Sequence, residues 1–137
     1  MKIIRDGRAP YHEAGHALVA KKLRIPILGV GFADGHPAGA GGLATGVVNQ
    51  SDLHNPIFSA GGMAAEEILF GSYDPEGSAS DRASIVKAGA SVGDSVKTAR
   101  GLLNRDEILL IGKRIESFAL QNDSGYIPEA NLFAEED

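Results

Sequence analysis

A chain of 137 residues, 43% of them hydrophobic, is long enough to stabilise a single core without disulfides or oligomerisation. It contains no cysteine, which excludes a disulfide framework and thiolate metal sites, so any metal site must draw on His, Asp or Glu. A net charge of −5 with no run of Lys or Arg argues against nucleic acid as a partner, and no apolar stretch approaches the roughly 20 residues of a membrane helix.

The N-terminal MKIIRDGRAPYHEAGHA carries charges and histidines where a signal peptide has an uninterrupted apolar segment, so the expectation is a soluble, cytoplasmic domain. Pro10 to Leu23 reads as a helix, with Pro10 suited to its first turn, Ala9, Ala14, Leu18 and Val19 sharing one side, and Pro26 closing it. Ile25 to Ala33 alternates in the manner of a strand. The glycine-rich DGHPAGAGGLATG that follows holds little regular structure before Gly46-Val47-Val48-Asn49, a second strand, and the two suggest a small sheet. Within that segment Gly39-Ala40-Gly41-Gly42-Leu43-Ala44 fits G-x-G-x-x-[GA]. A dinucleotide site needs a strand before this pattern and a helix after it; here His36-Pro37 precedes and a strand follows, so it reads as a loop.

Ser51-Asp52 caps an expected helix from Leu53 to Phe70, ended by Gly71. After the turn-rich SYDPEGSAS, one long helix is expected over Asp81 to Leu103 and another over Asp106 to Leu120. In the latter, Ile108, Leu109, Ile111, Ile115, Phe118 and Ala119 form a core-facing stripe. A short helix after Pro128 and a solvated acidic end complete the chain. With no long linker or internal repeat, residues 1–137 read as one α+β domain, mostly α-helical.

His12-Glu13-Ala14-Gly15-His16 carries the chemistry. It is the H-E-x-x-H pattern: on a helix, residues four apart lie about one turn from each other, so both imidazoles can point at one zinc ion (Zn2+), with Glu13 beside them. Zinc lowers the pKa of a bound water towards about 7, and a carboxylate in the place of Glu13 can take its proton. Gly15 costs roughly 1 kcal/mol in a helix relative to Ala, which a closely packed neighbour would explain. A third ligand is required, and composition and spacing leave it open among His36, His54, Glu66, Glu67, Asp74, Glu76 and Asp81.

Tyr11-His12-Glu13-Ala14-Gly15-His16-Ala17-Leu18-Val19 resembles the zinc helix of the FtsH-type AAA+ metalloproteases. Gly61-Gly62-Met63-Ala64-Ala65-Glu66-Glu67-Ile68-Leu69-Phe70-Gly71 is similar to that family's Gly-Gly-Arg-Ala-Ala-Glu-Glu helix. Gly77-Ser78-Ala79-Ser80-Asp81 resembles its Gly-Ala-Ser-Asn-Asp segment, and Ala99 to Arg105 its last helical hairpin. The resemblance implies a zincin-like peptidase domain in which an HExxH helix accompanies a small β-sheet and a helical bundle. It implies His12, His16 and Asp81 as metal ligands, Glu13 as general base and Glu66 as a partner that orients a ligating histidine. It also implies that substrate adds as a strand along Gly46, Val47 and Val48.

Met63 stands where the family has arginine, and no G-x-x-x-x-G-K-[ST] occurs in the sequence. The expected activity is therefore ATP-independent zinc endopeptidase cleavage of peptides or unfolded protein segments. A homo-oligomer or a separate ATPase is compatible with it as partner. The competing expectation is a non-catalytic, zinc-stabilised peptide-binding or regulatory module derived from a protease.

Overall fold

A computed structural model describes residues 8–32, 43–47, 55–76, 78–121 and 126–133, and these are mostly helical. Helix α1 (Ala9–Leu23) begins at Arg8, whose carbonyl accepts the N–H groups of Tyr11 at 3.0 Å and His12 at 2.9 Å, with Pro10 in the first turn. It ends before Pro26 is reached. Arg24 turns left-handed at φ 59°, and the Ile25 N–H returns to the Ala20 carbonyl at 2.8 Å, so orphan carbonyls of the last turn are satisfied there.

Strands β1 (Ile27–Phe32), β2 (Leu43–Val47) and β3 (Tyr126–Pro128) form an antiparallel sheet in the order β2-β1-β3. Ile27 pairs with Val47 and Phe32 with Leu43 on one side, across an irregular register between Ile27 and Val30; Val30 pairs with Ile127 on the other. The second strand thus starts three residues before the expected Gly46 and takes in Gly46 and Val47. Val48, His36, His54 and the Gly39–Gly42 run lie outside the described residues.

The helix expected from Leu53 is in two parts, α2 (Pro56–Ser59) and α3 (Gly61–Phe70), hinged at Ala60. Ser51-Asp52 falls outside the described residues; the cap is Asn55, whose side chain accepts the N–H groups of Ile57 at 2.9 Å and Phe58 at 3.3 Å. Gly71 closes α3 at φ 84°, its N–H on the Glu67 carbonyl.

The single helix expected over Asp81 to Leu103 is likewise two: α4 (Ala79–Lys87) and α5 (Val92–Leu102). Gly89 takes a left-handed φ of 81°, and Ser91 Oγ accepts the Asp94 N–H at 3.3 Å, starting a new helix. Helix α6 (Arg105–Gln121) is capped by Asn104, whose side chain accepts the Glu107 N–H at 2.8 Å, and α7 (Glu129–Leu132) follows β3.

Helix α1 runs through the centre. Every residue from His12 to Ala20 is buried, so this stretch has no solvent face, and Ala14 and Leu18 do not share one side with Val19 as expected but pack in a different cluster from it. One side, Ala14, Ala17 and Leu18, packs with Ala65 of α3, Ile108, Ile111 and Ile115 of α6, and Leu132. The other, Val19 and Ala20, packs with Phe58, Met63, Ala64, Ile85, Val96 and Ala99. Leu109 is only half-buried, because α6 turns the narrower edge Ile108–Ile111–Ile115 inward.

Glycine sets how closely the helices approach α1. A Cβ on Gly15 would fall on the Gly61 carbonyl and lie 2.7 Å from Ala65 Cβ, while one on Gly61 would lie 2.7 Å from the Gly15 carbonyl. A Cβ on Gly112 of α6 would enter the Tyr11 ring. The backbones of α1 and α3 are therefore in direct contact, which brings Glu66 up to His12.

Candidate metal centre

The central helix holds His12, Glu13 and His16 in the interior, at 7%, 3% and 6% exposure. The four-residue spacing stacks the two imidazoles one turn apart, their ring centroids 4.9 Å from each other and edge to face. This buried His12–Glu13–His16 group could hold a metal ion.

Each imidazole is aimed by a bond at its other nitrogen. His12 Nδ1 donates to Glu66 Oε2 at 2.6 Å, and His16 Nδ1 donates to the Phe58 carbonyl at 2.9 Å. In the neutral rings these bonds place the protons on Nδ1 and leave lone pairs on both Nε2 atoms. Those lone pairs face each other at 3.2 Å and face Asp81 Oδ2, at 3.0 Å from His12 and 3.1 Å from His16. With both rings neutral, three acceptors thus converge, and either a proton or a metal ion must stand between them. Tetrahedral ligands on bonds of about 2.0 Å stand about 3.3 Å apart, close to the sides of this triangle.

Two carboxylates lie near the pair of histidines, and they are placed differently. Asp81, in the first turn of α4, is within 3.1 Å of both Nε2 atoms. Glu13 groups with both imidazoles only within a looser 4.8 Å, and its Oε1 is buried with no hydrogen-bond partner among the described residues. The closer carboxylate suits a ligand. The one left with an unused acceptor in the interior suits work on a water or substrate.

The electrostatics also call for a cation. Burial pulls the His12 pKa down, but Glu13, Asp81 and Glu66 outweigh it, and the imidazole stands well above its ordinary 6.5. His16 is raised in the same way, burial opposing and Asp81 prevailing. Burial pushes Asp81 up, yet the two imidazoles bring it far below the usual carboxylate range. For Glu13, burial prevails over the histidines and raises the carboxyl. Positive charge is favoured between the rings, and in the absence of a metal protons supply it.

Glu66, 2% exposed, uses both oxygens: Oε2 on His12, and Oε1 on Arg8 Nη1 at 3.2 Å and the Asp74 N–H at 3.1 Å. Glu67, one position on, reaches Arg100 at 3.3 Å at the surface. Among the other third-ligand candidates, the Asp74 side chain accepts the Glu76 N–H at 3.1 Å at an exposed turn. Met63, where the resemblance has arginine, is wholly buried in the core.

The residues alone did not point to Arg8, to the Phe58 carbonyl or to Gly62, at which a Cβ would fall on the His12 ring. A glycine pair opening a helix was the one available signal for the last. Comparison with protein-family models, with curated proteins and with solved structures found no match.

Proposed function

We propose that this chain is a zinc-dependent endopeptidase that hydrolyses peptides or unfolded protein segments, with the zincin-like arrangement its resemblance to FtsH-type peptidase domains implies. The observation that carries the reading is the convergence of His12 Nε2, His16 Nε2 and Asp81 Oδ2 at 3.0 to 3.2 Å. Two imidazoles and one carboxylate form a donor set suited to zinc, and three protein ligands leave a fourth position for chemistry. When bound, the zinc supplies Lewis acidity, polarising a carbonyl and making water acidic near neutral pH.

The chain's own residues do the rest. His12, His16 and Asp81 hold the ion, and Glu66 and the Phe58 carbonyl orient the rings. Glu13, buried beside them with an acceptor oxygen that has no partner among the described residues, takes the proton of the attacking water and returns it to the departing amine nitrogen. Its carboxyl, raised by burial, is suited to both the gain and the return of that proton. Gly46 and Val47 lie on β2, an edge strand of the sheet, where an extended substrate can add by backbone pairing. Among the described residues no helix is long and apolar enough to cross a membrane.

The test is Glu13→Gln against wild type, both loaded with zinc, on an unfolded protein substrate. The expected result is unchanged zinc content with cleavage reduced about 10²- to 10⁴-fold. A zinc-loaded wild type that cleaves no unfolded chain, or a variant that cleaves as well as wild type, would overturn the proposal.

A further inference from the structure

We propose that Arg8 is a positioning residue of the metal centre, acting through Glu66 on His12; the inference rests on reading that centre as a zinc site. Arg8 Nη1 donates to Glu66 Oε1 at 3.2 Å, and the opposite oxygen of the same carboxylate accepts His12 Nδ1–H at 2.6 Å. A rigid carboxylate thus joins a guanidinium at the surface to a candidate metal ligand inside. Arg8 supplies the counter-charge that a carboxylate only 2% exposed requires.

Arg8 is itself fixed from several sides. The same Nη1 donates to the Ser72 carbonyl at 3.0 Å, and the guanidinium lies 4.8 Å over the Phe70 ring, which meets Tyr11 edge to face at 6.3 Å. Its carbonyl accepts the His12 N–H at 2.9 Å, so one residue fixes both the backbone and, through Glu66, the ring of His12. The Asp74 N–H adds a second donor to Glu66 Oε1 at 3.1 Å. Rotation of the carboxylate away from His12 would also break its bonds to Arg8 Nη1 and the Asp74 N–H.

An ordinary ion pair with one partially exposed member contributes little, about 0–1 kcal/mol. A positioning residue differs in what it changes: the hold on the metal, and only while Glu66 is present to transmit it.

The experiment measures zinc affinity by chelator competition on the full chain for wild type, Arg8→Met, Arg8→Lys, Glu66→Gln and the Arg8→Met/Glu66→Gln double variant. Loss of a hydrogen-bond partner of a ligating histidine costs about 10- to 100-fold in metal affinity, so Glu66→Gln is expected in that range. Arg8→Met is expected to lose about 5- to 10-fold, with part regained in Arg8→Lys, since it sits one bond further out. The double variant is expected to bind no more weakly than Glu66→Gln alone. Cobalt-loaded Arg8→Met should also show a visible absorption band shifted from wild type, which lost surface packing would not produce. Wild-type affinity in Arg8→Met, or losses that multiply in the double variant, would overturn this inference while leaving the zinc site intact. A wild type that takes up no zinc would overturn both.

Discussion

At the scale of single residues, protons and any metal held at the centre would compete for the same lone pairs. The folded, metal-free chain raises the pKa values of His12 and His16 above 6.5 and lowers that of Asp81. The raised histidines add stability that is fully present below their unfolded value and is lost as pH rises through their folded values. The lowered carboxylate adds stability present above its unfolded value of 3.8 and lost in stronger acid. Metal-free protein is therefore expected to be most stable in mild acid and to melt at progressively lower temperature as pH rises above the histidines' ordinary 6.5. Zinc held there would displace those protons, so the increase in melting temperature that it confers should grow over the same range. Thermal melts with and without zinc at each pH check this. A metal-free melting temperature that rises across that range would contradict it.

At the scale of elements, contact between the backbones of α1 and α3 brings Glu66 to His12, and glycine on both helices permits it. Gly15→Ala gains about 1 kcal/mol of helix propensity, but its methyl group would fall on the Gly61 carbonyl. Overpacking costs about 1–3 kcal/mol or more, and the upper end applies where the methyl meets a backbone carbonyl, so after the propensity gain the net effect is expected to be destabilising by about 2 kcal/mol or more. Gly101 in α5 is the control: a Cβ there meets nothing within 4 Å, so Gly101→Ala should stabilise by up to about 1 kcal/mol. Urea unfolding of the two variants should move the midpoint in opposite directions; shifts of the same sign would refute the close crossing.

Elements were legible where the signal is local. Pro10 and Gly71 marked a helix start and a helix end, and α6 was found to within a residue at each end, because caps and 3.6-residue periodicity are properties of short segments. The break between α4 and α5 was missed. Gly89 interrupts an otherwise helical pattern, and glycine alone does not show whether a helix bends or stops. Ser91 three residues before Asp94 was the readable sign of a new start. Asn55 was overlooked in the same way, although Pro56 behind it announced a first turn.

Across the whole molecule, the centre joins parts of the chain that only folding brings together. His12 and His16 reach Asp81 across 69 and 65 positions, and His12 reaches Glu66 across 54. The HExxH pair could be read from spacing because both residues share one helix. The third donor could not, because the chain offers several acids and nothing local separates Asp81 from Glu76 or Glu67; only the resemblance singled it out. Glu66 and Glu67 illustrate the same point: adjacent in the chain, one is bonded to His12 in the interior and the other to Arg100 at the surface. A metal held by α1 and α4 would close a long loop and stabilise the fold as a whole, since the donor set forms only in the folded state.

The most direct test of the three-donor site is zinc content per chain by elemental analysis, on wild type and Asp81→Ala, both free of added histidine tags and reconstituted with zinc. About one zinc per wild-type chain is expected, with a large loss in Asp81→Ala, since a two-histidine remnant holds the ion weakly. Zinc absent from both proteins, or retained equally in both, would contradict it.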